Sequence, residues 1–465
     1  MRRRAALGAL VATTMVLSGC LGQPQNADTA RNADATEISL TITGNAVAGG
    51  KNAAKAAWVT DWVIPRFVEQ QKQKGVTATV RFDGNGAGDE DYKTKIALDL
   101  KTGGGADIMG IDGIWVGEFA GGSQIKPLEE IVGKDKVEAW EGWKQIPQAV
   151  QSVGSFEGKR YGVPDGTDGR VLFYNKKLFA RAGLPADWQP RSWDELLSAG
   201  EALKRLPGVT PIQLNAGTAM GEAATMQGVL PMLVGTGKPL LTDGKWQGAT
   251  SNVKDVLGLY QRIYGSGLGD PLLQQEAKGR DKSFAQFADN KIGILLESDY
   301  LWRSVLEPTK GAAKMADRNS SVGWALVPAQ RPGSGVRGQD FVSMSGGSIN
   351  LINANSKYPA QAWELLQLMN SAEAVKARLG GAAQVTQRTD VNNEVLAGDP
   401  MLSFVAQKVL PITEYRPGVA DYTRVSAALQ QATADVVSGK TAQEALTAYQ
   451  AALTKVVGEA KVVSG

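Results

Sequence analysis

Apolar and polar positions alternate strictly at Glu37-Ile-Ser-Leu-Thr-Ile-Thr43, which predicts a first strand with Ile38, Leu40 and Ile42 on one face. A helical stripe follows, in which Trp58, Val59, Trp62 and Val63 share a side and Gly75 marks the end. Pro65 falls inside this stripe and predicts a kink or restart, because it lacks an amide proton and crowds the preceding turn. Val76-Thr-Ala-Thr-Val-Arg-Phe82 predicts the second strand and Ala106-Asp-Ile-Met-Gly-Ile111 the third. Strands alternating with helices predict an α/β fold, with a mainly parallel sheet flanked by helices. No segment repeats at a fixed period.

Further along, the loop Tyr161-Gly-Val-Pro-Asp-Gly-Thr-Asp-Gly169 leads into a buried strand, Val171-Leu-Phe-Tyr174. Asn175 is placed to cap the next helix and Gly183 to end it; Ser192 with Glu195 reads as a capping box. The loop therefore carries Asp165, Thr167, Asp168 and Arg170 across a glycine-rich connection between blocks of regular structure. It reads equally as a hinge with polar groups at a cleft floor or as an ordinary strand-to-helix connection. Lys291-Ile-Gly-Ile-Leu-Leu296 and Ser345-Gly-Gly-Ser-Ile-Asn-Leu-Ile352 predict further strands, and amphipathic helices close the chain.

Length and composition narrow the chemistry. At 465 residues the chain exceeds one ordinary core, so two domains are expected. It has no histidine and a single cysteine, Cys20, which excludes His-dependent nucleophilic catalysis, His-ligated zinc and intrachain disulfides. No cofactor or metal is expected. The loop from Asp83 to Asp91 invites a calcium reading, but Thr94 stands where a calcium loop places its bidentate Glu. Asp89, Glu90 and Asp91 instead suit a helix start, while Asp83 and Asn45 each follow a strand, where open α/β sheets present ligand groups. Arg2, Arg3 and Arg4 before the apolar stretch Ala5–Leu17 form a targeting segment; without those arginines the acids and bases balance. A near-neutral chain lacks the concentrated basic face that nucleic acid requires.

The run Y-G-V-P (161–164), T-D (167–168), L-F-Y-N-K-K-L-F-x-x-A-G-L (172–184) and S-W-D-E-L (192–196) resembles the family 1 extracellular solute-binding proteins. These are oligosaccharide receptors of bacterial ABC importers, maltose-binding protein among them. The resemblance implies a two-lobed periplasmic-binding-protein type II fold with three crossings between lobes. Lobe 1 would comprise residues 37–165 with 346–386, and lobe 2 residues 166–345 with 387–465. Leu17-Ser-Gly-Cys20 matches the lipobox, which implies cleavage of a signal peptide (1–19), lipidation of Cys20 and a flexible tether over 20–36; a plain secretory cleavage is the alternative. Such a tether would reach roughly 20–25 Å.

By the same resemblance, Asp112 and Trp115 would contact sugar, although Trp115 also suits a core position. Tyr300 and Trp302 stand after the 291–296 strand; at most one is expected to face a ligand, and Tyr300 is preferred. Gly346 and Gly347 would form the second crossing. Arg388, in Ala382-Ala-Gln-Val-Thr-Gln-Arg388, matches a P-V-x-x-R element whose Arg clamps hydroxyls, but here the Pro is missing. Asn215 and Glu222 bound a small-residue loop whose amides suit an oxygen-rich ligand. Asp168 completes the candidate set. The chain is thus expected to be a monomeric, lipid-anchored receptor outside the cell membrane that hands a di- or oligosaccharide, an α-glucoside for instance, to a permease. The alternatives are a secreted glycosidase using Asp112 with Asp168 or Glu297, and a surface protein without a small ligand.

Overall fold

The computed structural model describes residues 31–464 apart from 51, 88 and 277. The targeting segment and Cys20 lie outside the described residues. Eleven strands frame the molecule: β1 (Glu37–Gly44), β2 (Thr77–Gly84), β3 (Ile108–Asp112), β4 (Val163–Pro164), β5 (Arg170–Asn175), β6 (Thr210–Gln213), β7 (Ile292–Ser298), β8 (Val322–Ala325), β9 (Phe341–Ser345), β10 (Ser348–Ile352) and β11 (Thr413–Tyr415). The two largest sheets have the orders β2-β1-β3-β10-β4 and β8-β5-β7-β6, and β9 pairs with β11 in a smaller one.

Alternation along the strands gives each sheet two apolar faces. In the first, Ile38, Leu40, Ile42 and Ile108 pack against Trp58, Phe67 and Trp363, while Met109, Ile111, Ile349 and Leu351 pack against Tyr92, Trp115 and Phe119. In the second, Leu172, Ile212, Ile294 and Leu296 face one set of helices; Val171, Phe173 and Leu295 face Phe284 and Phe287. Each lobe is therefore a sheet with helices on both faces, as the strand rhythm predicts.

Strand sense departs from the expected parallel pattern. β1 runs parallel to β2 and β3, but β10 is antiparallel to both β3 and β4. In the second sheet only β6 and β7 are parallel; β5 opposes β7 and β8. The cause is the connectivity. β5 enters its sheet straight from a crossing and so runs away from the cleft, and β10 does the same in the other lobe.

Two local expectations are modified. The kink at Pro65 is absorbed by a π turn, Trp58–Val63, which feeds an α-helix at Ile64–Gln73 with Pro65 in its first turn. A wider turn removes the carbonyl that the proline ring would strike. The Ser192 hydroxyl caps Glu195 N at 3.2 Å, but the Glu195 carboxylate accepts from Arg191 N rather than closing the box on Ser192. Residues 31–36, expected as part of the tether, dock instead on the first lobe. Asn32 donates to Lys357 O at 2.8 Å, and Gln361 donates to the carbonyls of Asn32 and Ala33.

Candidate functional site

The chain 165–169 passes between the lobes with each of its acids fixed. Asp165 is buried, its amide donating to Ser348 O at 2.8 Å and its carboxylate lying between Lys55 Nζ (2.5 Å) and the Arg378 guanidinium. Burial alone would raise this carboxyl, but the two cations hold it below the ordinary carboxylate range. Asp168 accepts from Arg170 Nη1 (2.5 Å), Ser345 Oγ (3.0 Å) and Gly346 N (2.9 Å). Burial again opposes its ionisation, and Arg170 with those hydrogen bonds keeps its pKa low. Between them Thr167 Oγ1 lies 2.9 Å from both Ser345 Oγ and Tyr415 OH. The first and second crossings are thus stitched together by side chains.

Beside this seam a guanidinium joins the lobes. Asp112 closes β3 and accepts from Ile114 N, capping the turn Gly113–Trp115. Its Oδ1 lies 3.3 Å from Arg416 Nη2, and Arg416 Nη1 lies 3.4 Å from Glu222 Oε1 in the other lobe. Glu222 is positioned by Tyr422 OH and by Ser426 Oγ at 2.6 Å. Arg416 stands just past β11, which pairs with β9 and so reaches the crossing directly. A cavity of about 30 Å³ borders Arg416, Tyr415, Gly113, Gly346 and Gly347.

A second polar wall stands at the end of β7. Glu297, fully buried, receives Arg280 through both oxygens, Nε at 2.6 Å and Nη2 at 2.8 Å. Asp299 accepts from Gly169 N (3.0 Å) and Arg303 Nε (2.9 Å), which ties this wall to the first crossing. Burial raises the Asp299 carboxyl above its ordinary value despite Arg303. Tyr300 between them is 39% exposed, with Arg303 5.5 Å and Arg280 6.0 Å from its ring centre.

Asp112, Glu222, Asp168 and Gly346 therefore come together around Arg416 and the crossings, with Gly347 O accepting from Gly113 N at 2.9 Å. Asn215 and Tyr300 belong to the second wall; Asn215 Nδ2 donates to Glu297 at 3.3 Å. Asp83 is exposed at the end of β2, 3.9 Å from Lys95, and Asn45 follows β1, its carbonyl accepting from Asn52. Three candidates lie away from these groups. Trp115 is buried between Tyr92 and Phe119, because the turn that Asp112 caps rolls its ring into the core. Trp302 is buried as well, donating to Asp399 and packed edge-on against Trp324. The chain turns helical at Leu301, so Tyr300 and Trp302 point to different sides instead of sharing a face, as residues two apart do along an extended segment. Arg388 spends its donors on Asp390 and Asn370 O, and Asp390, only two residues on, is the nearer partner.

Arg170 stands on the glycine-rich loop that the sequence marks, whereas Arg416 and Arg280 are marked by no motif. Arg416 lies in the 411–417 segment, whose prolines mark a rim loop, but nothing there signals which side chain turns inward. Arg280 sits on a helix of ordinary polarity and carries no local signal at all.

Residues 50–376 match the family described as bacterial extracellular solute-binding protein. Among curated proteins, a putative binding protein of Brucella abortus is 25% identical over 276 residues, covering 59% of this chain and 61% of that protein. The chain thus aligns with about three-fifths of that relative's length. Among solved structures, a solute-binding protein of an ABC transporter from Thermotoga lettingae, bound with α-D-tagatose, is 24% identical with a TM-score of 0.65 (90% of this chain, 100% of that one). The cyclic α-maltosyl-1,6-maltose binding protein of Arthrobacter globiformis gives 20% and 0.69 (91% and 99%), and the sugar-binding protein MalE of Xanthomonas citri 17% and 0.72 (91% and 98%). At these identities the likeness establishes the fold, that of the type II periplasmic binding proteins.

Proposed function

The chain belongs to the bacterial extracellular solute-binding protein family, and from that premise we propose that it is the receptor of an ABC importer, capturing a di- or oligosaccharide between its lobes and delivering it to the permease. One observation carries the reading. A carboxylate from each lobe, Asp112 and Glu222, meets a single guanidinium beside the glycine crossings, with Asp168 adjacent. Carboxylates and guanidinium accept from and donate to paired sugar hydroxyls, and the exposed Tyr300 face suits a ring's C–H side. The lobes are proposed as 37–165 with 346–386 and 166–345 with 387–465. Cys20 carries the lipid that holds the monomer at the outer face of the cell membrane. Among the described residues no helix is long and apolar enough to cross a membrane.

The molecule binds without catalysing. A glycosidase needs two available carboxyls, one of them with a raised pKa; here Asp168 is held low by Arg170, both Glu297 oxygens are taken by Arg280, and Asp299, which burial raises, is tied up by Gly169 N and Arg303. An α-glucoside such as trehalose, maltose or sucrose is the proposed ligand, with affinity about micromolar, roughly −8 kcal/mol. A thermal-shift panel of disaccharides tests this: a ligand at 100 times its dissociation constant stabilises by about 2.7 kcal/mol. No shift with any saccharide overturns the reading, and hydrolysis of a bound saccharide at enzyme-like turnover overturns the binding-only part.

A further inference from the structure

The face of the second sheet that packs on Phe284 ends in a buried polar group that the interlobe contacts do not use. Gln213 closes β6 and Asn215 follows two residues later on the same side of the extended chain. In register, Gln213 stands opposite Leu295 of β7, which brings Asn215 beside Glu297. The 270–275 loop covers this corner and fixes two amides: Gln213 Oε1 accepts from Asp270 N at 3.3 Å and Gln274 Oε1 from Ala216 N at 2.7 Å. Asn215 Nδ2 is oriented by the Glu297 carboxylate. Each of these bonds determines which amide atom is left over. The remaining atoms are Gln213 Nε2, Gln274 Nε2 and Asn215 Oδ1, which have no hydrogen-bond partner among the described residues although their side chains are no more than 1% exposed.

Unpaired polar atoms at this depth are strongly unfavourable, and native structures satisfy them. Two amide donors and one carbonyl acceptor complement a hydroxyl oxygen, which accepts two hydrogen bonds and donates one. The group lies at the same end of β6 and β7 as Tyr300 and the crossings. Arg280, partly exposed, is pinned by Glu297, the same carboxylate that orients Asn215, and so links the group to the protein surface. We propose that Gln213, Asn215 and Gln274 form a subsite for one hydroxyl of the bound saccharide, reached past Arg280. This inference rests on the carbohydrate reading above and goes further by assigning where a second sugar unit is read.

The test uses the full chain with Gln213→Met and Gln274→Met, which keep side-chain length and remove the Nε2 donor together with the Oε1 that accepts from Asp270 N or Ala216 N, so the deoxy sugars isolate the donor's part. Calorimetric titration is run with a saccharide that the wild type binds and with its monodeoxy series. The expected result is a loss of about tenfold or more in affinity for each variant. One deoxy sugar should lose a similar factor against wild type and little further against the variants. Full affinity in both variants overturns the subsite, whether their melting temperatures rise, as orphan amides replaced by apolar atoms would, or fall, as loss of water alone would. If wild type binds no saccharide, the functional reading fails and the subsite with it; if wild type binds and the variants match it, only the subsite fails.

Discussion

At the scale of single residues the molecule is governed by carboxylates that each have an assigned cation. Glu297 and Arg280 form a two-pronged pair at the end of β7, and Glu297 is fully buried. Glu297→Ala leaves a guanidinium with no partner in a largely dry setting, and removal of one member of such a pair typically costs about 3 kcal/mol or more. Arg280 keeps some solvent contact, so the lower end is expected, measured by denaturant unfolding. The acids of the first crossing add a pH dependence. Asp165 and Asp168 both have folded-state pKa values below their ordinary 3.8. A group whose pKa is depressed by folding contributes stability that is complete above the unfolded value and is lost as pH falls through the folded one. The melting temperature should therefore hold as pH falls toward about 4 and drop below it. Asp165→Asn should lower the plateau and flatten that acid limb, and an unchanged limb would show that Lys55 and Arg378 do not stabilise the carboxylate.

Elements show what the sequence makes legible. Alternating burial is written into β1 and β2, whereas β3, buried on both faces, shows only as a short apolar run; Asn175, Ser192 and Gly183 marked helix ends because capping is local chemistry. The second wall was legible only in part. Tyr300 follows a strand and could be found; Arg280 reaches Glu297 across 17 residues, and no local pattern encodes that approach. Trp115, Trp302 and Arg388 fall in motifs of the right type, yet a turn of helix or a nearer partner decides where each side chain points. Prolines show the same limit. Pro65, Pro231 and Pro411 each follow a π turn, at Trp58–Val63, Thr225–Val229 and Val405–Val409, so a residue that predicts a break is accommodated by one wider turn. The second of these carries Gln227, which accepts from Arg170 Nε at 2.8 Å beside Asp168. Close approach of elements is equally invisible in sequence. A Cβ built at Gly117, on the helix Val116–Gly121 of the first lobe, would lie 1.2 Å from Gly418 O. Gly117→Ala should therefore displace the segment after β11 and destabilise by about 1–3 kcal/mol. Because Arg416 lies two residues before Gly418, saccharide affinity should fall with it; calorimetry on the folded variant reads this directly.

For the whole molecule, the segment Thr413–Gly418 acts as an additional link between lobes that are already joined by their crossings. It pairs with β9, contacts the first lobe at Gly117 and places Arg416 between Asp112 and Glu222. Both Arg416 contacts are long and single-pronged, which suits a link that can open and re-form, unlike the short double bond of Arg280 to Glu297. Burial would lower the Arg416 pKa, but Asp112, Tyr422 and Glu222 raise it above its ordinary value, so the guanidinium stays charged at any working pH. Whatever the link contributes to lobe closure therefore comes from geometry and not from titration. If Arg416 favours the closed arrangement by about 1.4 kcal/mol and ligand-free wild type is divided about evenly between closed and open, its removal lowers the closed-to-open ratio about tenfold, the closed fraction falls from about one half to about one tenth, and apparent affinity falls about fivefold. Arg416→Ala should accordingly show a larger ligand-free radius of gyration by small-angle scattering and weaker binding, yet contract to the wild-type radius at saturating saccharide. A variant that binds weakly but has the wild-type ligand-free radius would make Arg416 a ligand contact alone, and one that stays expanded when saturated would show that closure itself requires the guanidinium.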